Sequence, residues 1–315
     1  VDWSSTTRSP PGPPGGHPTP ASRSSLDSRA PGLTLAGIIL IWGLGPPISK
    51  LITAPPLVIA ATRFWASVPI LFAVTYATGH RVSKETLKLT WLAGGLFGMN
   101  MVFVFISLQH ASVAVLSVLM ALQPGVVLVV AGRWLGEKAG PWHIGWTIVG
   151  IAGVCVVVLG NGPDVRIEPL GLFGGVVSLL SFTGYYLRNR QVRSTTDIHP
   201  LEWMSGSTLF SALFVTPFAL VFTDPSDFGQ LGGVDWIYLF YVAGVVGIFS
   251  HTLMSWVQKF IPASRSSLYL LGMTVVAVVA AWPINGERFT AQQVFGGLIV
   301  LGAVAAVVSR PPEMT

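Results

Sequence analysis

Polar and aromatic side chains set inside long apolar runs are where this chain could do chemistry, because such groups are costly in lipid and turn toward protein or water. Trp42, Pro46 and Lys50 stand four residues apart on one helix face. A Trp there can stack on a flat or cationic solute, and packing against a neighbouring helix is the equal alternative. Pro46 with Pro47, and also Pro124 and Pro217, are expected to kink their helices and bare backbone carbonyls. Asn100 and His251 suit hydrogen bonding, either between helices or to a solute. His251 is also the one mid-run group that titrates near neutral pH, which makes it the candidate for coupling to protons; a satisfied packing histidine is the plainer reading. Gln123 beside Pro124, the adjacent Tyr185 and Tyr186, and Tyr269 with Met273 one turn later complete a candidate cavity lining. An aromatic and thioether lining tolerates varied apolar or amphipathic molecules, although the same residues also make an ordinary core.

Charged residues near the ends of the runs suggest latches. Arg63 lies seven residues inside its run and needs a partner, for which Glu287 is expected to serve. Glu137 with Arg190 is the expected counterpart at the opposite end, and snorkelling of all four charges to the membrane surface is the alternative. The single cysteine, Cys155, lies in an apolar run and should act as a small hydrophobe. Enzyme chemistry has little to work with. The 13 acidic residues form no carboxylate cluster, since the nearest two, Asp224 and Asp227, are three positions apart in a link. No His-Glu-x-x-His, Walker or paired-cysteine motif occurs in the sequence. No catalytic residue, metal or cofactor is therefore expected.

These side chains must be positioned by membrane-spanning helices. A bilayer core is about 30 Å thick, so each crossing takes roughly 20 apolar residues. With 51% hydrophobic and 10% charged residues and a mean hydropathy of +0.66, the chain is too apolar for an ordinary soluble domain. Its runs lack the strict alternation of barrel strands. The expected class is an all-α polytopic membrane protein whose spans cover 33–51, 56–78, 89–108, 112–133, 143–160, 170–188, 200–222, 235–258, 262–284 and 291–309. Residues 1–31 hold seven prolines and no apolar run, and read as a disordered tail without a signal peptide; residues 311–315 read as a short second tail. Fourteen basic residues then fall in segments on the side of the N-terminus and two on the other, which places both ends in the cytoplasm of a cell with the protein in its inner membrane. The net charge of +5 is thus topological and implies no nucleic-acid partner.

The chain also repeats. A shift of 150 carries Gly136-Glu137 onto Gly286-Glu287, Gly94 onto Gly244 and Ser117 onto Ser267, while shifts of 140 to 144 bring the first two spans onto the sixth and seventh. Five crossings per copy make the second copy inverted, so residues 32–160 and 161–310 read as two inverted five-helix repeats. Ile41-Trp42-Gly43 through Lys50, Arg63-Phe64, and Leu119 through Lys138 with Pro124 and Leu135-Gly136-Glu137 resemble the EamA-type permeases of the drug/metabolite transporter superfamily. The resemblance extends over about 33–309. It implies a central cavity and a secondary, ATP-independent transporter of a small metabolite, amino acid or drug-like compound, working by alternating access and as an exporter. Its partners would be that substrate, the bilayer and a coupling proton or other ion, with the chain a monomer or homodimer. A passive facilitator is the first alternative, and an enzyme acting on a lipid-linked substrate the second. One departure stands out: Met273-Thr274 replaces a family proline in the ninth span, which removes the local cause of a kink matching the one at Pro124.

Overall fold

The computed structural model describes residues 25–111, 113–137, 140–159, 168–286 and 290–309, so Glu287, the 160–167 link and both chain ends lie outside the described residues. The chain divides into residues 1–30 and residues 31–315, and the helical bundle is the second unit. All described elements are helices: α1 (Ser25–Ser49), α2 (Pro56–Ala77), α3 (Lys84–His110), α4 (Val113–Ala121), α5 (Gln123–Trp134), α6 (Pro141–Leu159), α7 (Pro169–Thr195), α8 (Pro200–Phe222), the short α9 (Pro225–Phe228), α10 (Asp235–Phe240), a π-helical segment (Tyr241–Ser250), α11 (His251–Val257), α12 (Ala263–Tyr269), α13 (Gly272–Asn285) and α14 (Ala291–Ser309). Among them, nine spans, each a single helix or a run of consecutive helical segments, are long and apolar enough to cross a membrane, and the tenth, Ala291–Val307, is a shorter apolar helix. The fold is that of ten crossings in two inverted sets of five.

Local chemistry sets the ends. Proline opens α2, α7 and α8, where its missing N–H costs nothing. Ser83 and Thr86 form a reciprocal capping box at the start of α3. Gly136 and Gly286, the glycines of the repeated Gly-Glu pair, have φ of 70° and 72°. Each leaves its helix through the left-handed region, which a side chain would strain, so the repeated dipeptide marks the same stop used twice.

The fourth and ninth spans are both broken. Between α4 and α5 the break falls at Leu122, two residues before Pro124. Between α12 and α13 it falls at Leu270-Leu271 although no proline is present. The shift of 150 carries Leu122 to Gly272, so the two breaks are equivalent, and Gly272 supplies a weak helix former in place of the ring. By contrast α1 runs through Pro46 and Pro47, and α8 through Pro217, as continuous helices. Three boundaries also differ from those expected of the sequence, and in the first of them α1 starts at Ser25, eight residues before the expected 33 and inside the segment read as a tail. α3 starts five residues early, at its capping box, and α7 continues seven residues past 188, because its polar end is packed into the bundle: Asn189, Val192 and Arg193 are all buried.

The two repeats are not separate bodies. α3 packs on α7 and α8, α2 on α8 and the π segment, α5 on α12, and α6 on α14, so each of these contacts joins one repeat to the other. Small residues allow the approach, as expected where apolar burial gives helices no drive to associate in lipid. A Cβ on Gly94 would collide with the backbone oxygen of Ser207 and, at 2.6 Å, with Cβ of Phe210. Ser211 Oγ donates to the Gly94 carbonyl at 2.9 Å across the same contact. Gly94→Leu should therefore destabilise the protein by at least about 1–3 kcal/mol through overpacking, seen as a lower unfolding temperature in detergent. Gly95→Ala, one residue on with nothing within 4 Å, should not. Equal unfolding temperatures for the two variants would mean that α3 and α8 do not meet there.

Candidate functional site

Helices α2, α3 and α8 and the π segment enclose a narrow crevice lined by Arg63, Phe64, Ser67, Phe97, Met204, Thr208 and Gly247. Its free volume is about 10 Å³, roughly one water. The lining follows the repeat: the shift of 150 carries Phe97 to Gly247, and a shift of 144 carries Phe64 to Thr208 and Arg63 to Ser207. The first repeat thus contributes a guanidinium and two phenyl rings, and the second contributes small residues at the matching positions.

A cluster of rings closes one side. His251 lies between Trp42 and Phe97, with ring centroids 4.7 Å and 5.0 Å away. Phe97 stacks on Tyr185 at 4.7 Å and 17°. The Tyr185 hydroxyl is 3.3 Å from Nδ1 of His251, and the Trp42 indole N–H donates to Ser250 Oγ at 2.5 Å. Arg63 is half-buried, and its guanidinium sits 5.1 Å over the Phe64 ring. Tyr185 and His251 are both within electrostatic reach of it. The described carboxylates are all engaged or placed elsewhere: Glu137 with Arg190, Glu168 with His110, Asp197 with Lys259, Glu202 with His80, Asp235 with Thr53, Asp224 and Asp227 with each other's backbone, and Glu85 at the start of α3. Among the described residues, then, a cation lines the crevice without a counter-ion.

Of the residues singled out in the sequence, Trp42, Tyr185, His251 and Arg63 are brought together here. Asn100 is elsewhere: its amide donates to the carbonyl and Oγ of Ser178 at 3.1 Å and 2.8 Å, tying α3 to α7. Gln123 is buried at the α4–α5 break. Tyr186 donates to Ser266 Oγ at 2.6 Å. Tyr269 and Met273 pack on the neighbouring cluster that includes Trp42 and Val127, and the Met273 carbonyl faces Gly43 of α1. Pro46 is exposed, Pro47 is buried and accepts from Asn285 Nδ2 at 3.2 Å, and Pro217 is exposed. Phe64, Phe97, Met204, Thr208 and Gly247 were not legible as site residues, being ordinary apolar or small positions. Only the repeat shift, applied to Phe97, would have pointed at Gly247.

Glu137 and Arg190 meet at the end of the bundle that holds the α5 terminus. Arg190 Nε donates to Glu137 Oε1 at 2.7 Å, and Glu137 Oε2 accepts from the Ser264 backbone N–H at 3.2 Å and its hydroxyl at 3.3 Å. Arg190 also donates to the carbonyls of Gln258, at 2.5 Å, and Lys259. Four elements, α5, α7, the α11–α12 turn and α12, are joined through this pair. The partner expected for Arg63, Glu287, lies outside the described residues.

A second junction joins the α2–α3 link to the start of α8. The His80 and His199 rings stack at 3.7 Å and 11°, and His80 Nδ1 is 3.5 Å from Glu202 Oε1. His199 Nδ1 accepts from the Leu201 N–H at 3.3 Å and so caps α8. Partial burial, reinforced by the neighbouring His80 and Arg193, holds the His199 imidazole below the usual histidine range, against the opposing pull of Glu202. The unfolded chain therefore binds more protons than the native one as pH falls below about 6.5, and stability contributed by neutral His199 is present above that pH and lost below it. Thermal unfolding in detergent should weaken between pH 7 and pH 5. His199→Asn, which keeps a capping oxygen without the titration, should flatten that slope; an unchanged slope would place the sensitivity elsewhere.

The chain is similar to known proteins over nearly all of its length. A model of the EamA-like transporter family matches residues 31–159 and again residues 169–309. An archaeal protein named "Uncharacterized transporter", from Archaeoglobus fulgidus, is 28% identical over 290 residues, covering 88% of this chain and 99% of its own. YvbV and YoaV of Bacillus subtilis, both named uncharacterized transporters, are 25% and 23% identical over 87% and 85% of this chain, and over 90% and 93% of their own lengths. One solved crystal structure superposes with a TM-score of 0.73 at 18% identity, over 88% of this chain and 97% of that one, a likeness of fold alone.

Proposed function

Since the chain belongs to the EamA-like transporter family, we propose that this membrane protein is a secondary transporter that carries a small organic molecule through the Arg63 crevice by alternating access. The observation that carries this reading is the place of the crevice, between helices of the two repeats, with Arg63, Ser67 and Thr208 in its lining. Its small volume means that the rings of Phe97, His251 and Trp42 must part, or the repeats rock, before a substrate fits. Closure at the Glu137–Arg190 end is held by an ion pair, as a gate between two arrangements requires. The 14-to-2 division of basic residues supports an inner-membrane protein with both ends cytoplasmic, and export is the direction that fits the family resemblance. No enzymatic step is needed. The coupling partner is a proton or another ion, and His251, 3.3 Å from the Tyr185 hydroxyl, is the group in the ring cluster whose replacement by Gln tests the proton.

The test is an efflux panel of metabolites, amino acids and toxic compounds in cells with and without the protein, followed by flux in proteoliposomes. At least one compound should move with saturable kinetics. If no compound changes its accumulation, or if flux rises linearly without saturating, a channel or structural role replaces the transporter.

A further inference from the structure

We propose that the crevice selects organic anions, binding a carboxylate on a flat apolar body with Arg63 as its counter-ion; this rests on the transport reading above. Three observations lead there. Arg63 lines the crevice seven residues in from the start of α2, and no described carboxylate pairs with it. Arginine stays ionised in proteins and presents a rigid fork of donors that a carboxylate meets with two parallel hydrogen bonds. A cation inside a membrane-spanning helix is costly when alone, so an incoming anion relieves a charge that no described carboxylate balances.

The remaining wall fixes the rest of the molecule. Phe64 and Phe97, with Tyr185, Trp42 and His251 packed behind Phe97, give the crevice its aromatic wall. Thr208 and Gly247 of the second repeat, and Ser67 one turn after Arg63 on α2, are small and bring no formal charge. No described acidic side chain reaches the crevice to receive an ammonium group, so the site favours an anion over the zwitterion of the same skeleton. Phenylpyruvate and phenylalanine make that comparison directly, since they share a ring and a carboxylate and differ in the α-keto or α-ammonium group.

The full-length protein in proteoliposomes should be tested with radiolabelled phenylpyruvate, phenylalanine and phenethylamine. Phenylpyruvate is expected to move at least ten times faster than the other two, and to raise the unfolding temperature of the detergent-purified protein. Arg63→Gln should abolish both effects, and Arg63→Lys should keep part of them. Thr208→Asp, which sets a carboxylate across the crevice, should also abolish them in a protein that remains monodisperse, so the test survives if Arg63→Gln fails to fold. The inference is overturned if Arg63→Gln or Thr208→Asp keeps phenylpyruvate flux, or if phenylalanine or phenethylamine is preferred. Saturable flux of another compound with no response to phenylpyruvate would remove the anion selectivity and leave the transporter standing. No saturable flux of any compound in the wider panel would remove both.

Discussion

Glu137→Gln is expected to release the end of the molecule where α5, α7 and α12 meet. The carboxylate takes one hydrogen bond from Arg190 and two from Ser264, and both partners of the ion pair are largely shielded, with 13% and 15% of their side chains exposed. Glutamine keeps the shape and one acceptor oxygen but leaves the guanidinium without its counter-charge. Breaking a buried pair from one side costs about 3–5 kcal/mol. Even the lower figure is a factor of roughly 10² in the balance between fastened and open arrangements, at 1.4 kcal/mol per tenfold. Gln258 reports that balance, since it is fully buried beside the Arg190 contact. The chain has one native cysteine, Cys155, in α6, so a Cys155→Ala background allows Gln258→Cys to be labelled alone. Addition of Glu137→Gln should speed labelling by a membrane-impermeant thiol reagent at least tenfold, and Arg190→Gln should do the same. Equal labelling rates with and without the pair would show that it fastens nothing.

This junction also shows what the sequence could and could not display. The Gly-Glu repeat was visible as spacing, and the left-handed turn at Gly136 and Gly286 gives it a physical cause. Arg190 was visible as a charge near Glu137 in the expected topology. Its setting was hidden, because Arg-Asn-Arg-Gln reads as a polar link, and only the packing of α7 on its neighbours makes a helix of it. The break at Leu270 was hidden for the opposite reason: the sequence signal for a break is proline, and here tertiary packing bends a segment of ordinary apolar residues around Gly272. In the centre, Trp42, Tyr185 and His251 stood out because polar or aromatic groups are conspicuous in an apolar run. Phe64, Phe97 and Gly247 did not, since one more phenylalanine or glycine in such a run carries no local signal.

Gly247→Phe should stop transport while leaving the protein folded, because the two repeats fill one equivalent position in opposite ways. Phe97 and Gly247 correspond under the shift of 150, and both line the crevice. One copy fills its position with a ring that stacks on Tyr185, and the other leaves its position empty. Gly247 also lies inside a ten-residue π segment, Tyr241–Ser250. The wider π turn is rare and tends to occur at functional sites. A Cβ at Gly247 would meet only the Val242 carbonyl at 3.2 Å and Ser67 Oγ at 3.9 Å, so a methyl group requires a slight adjustment and no rebuilding. A phenyl ring has nowhere to go but the crevice, whose free volume of about 10 Å³ it would fill several times over. Gly247→Ala is therefore expected to keep most of the flux and Gly247→Phe to lose at least nine-tenths of it, with both proteins eluting as single species in detergent. Pairing Gly247→Phe with Phe97→Ala moves the ring from one repeat to its inverted mate and should restore part of the flux. Full transport by Gly247→Phe would mean that the substrate passes elsewhere, and failure of the pair to recover would mean that the two positions, though equivalent in the repeat, do not share one space.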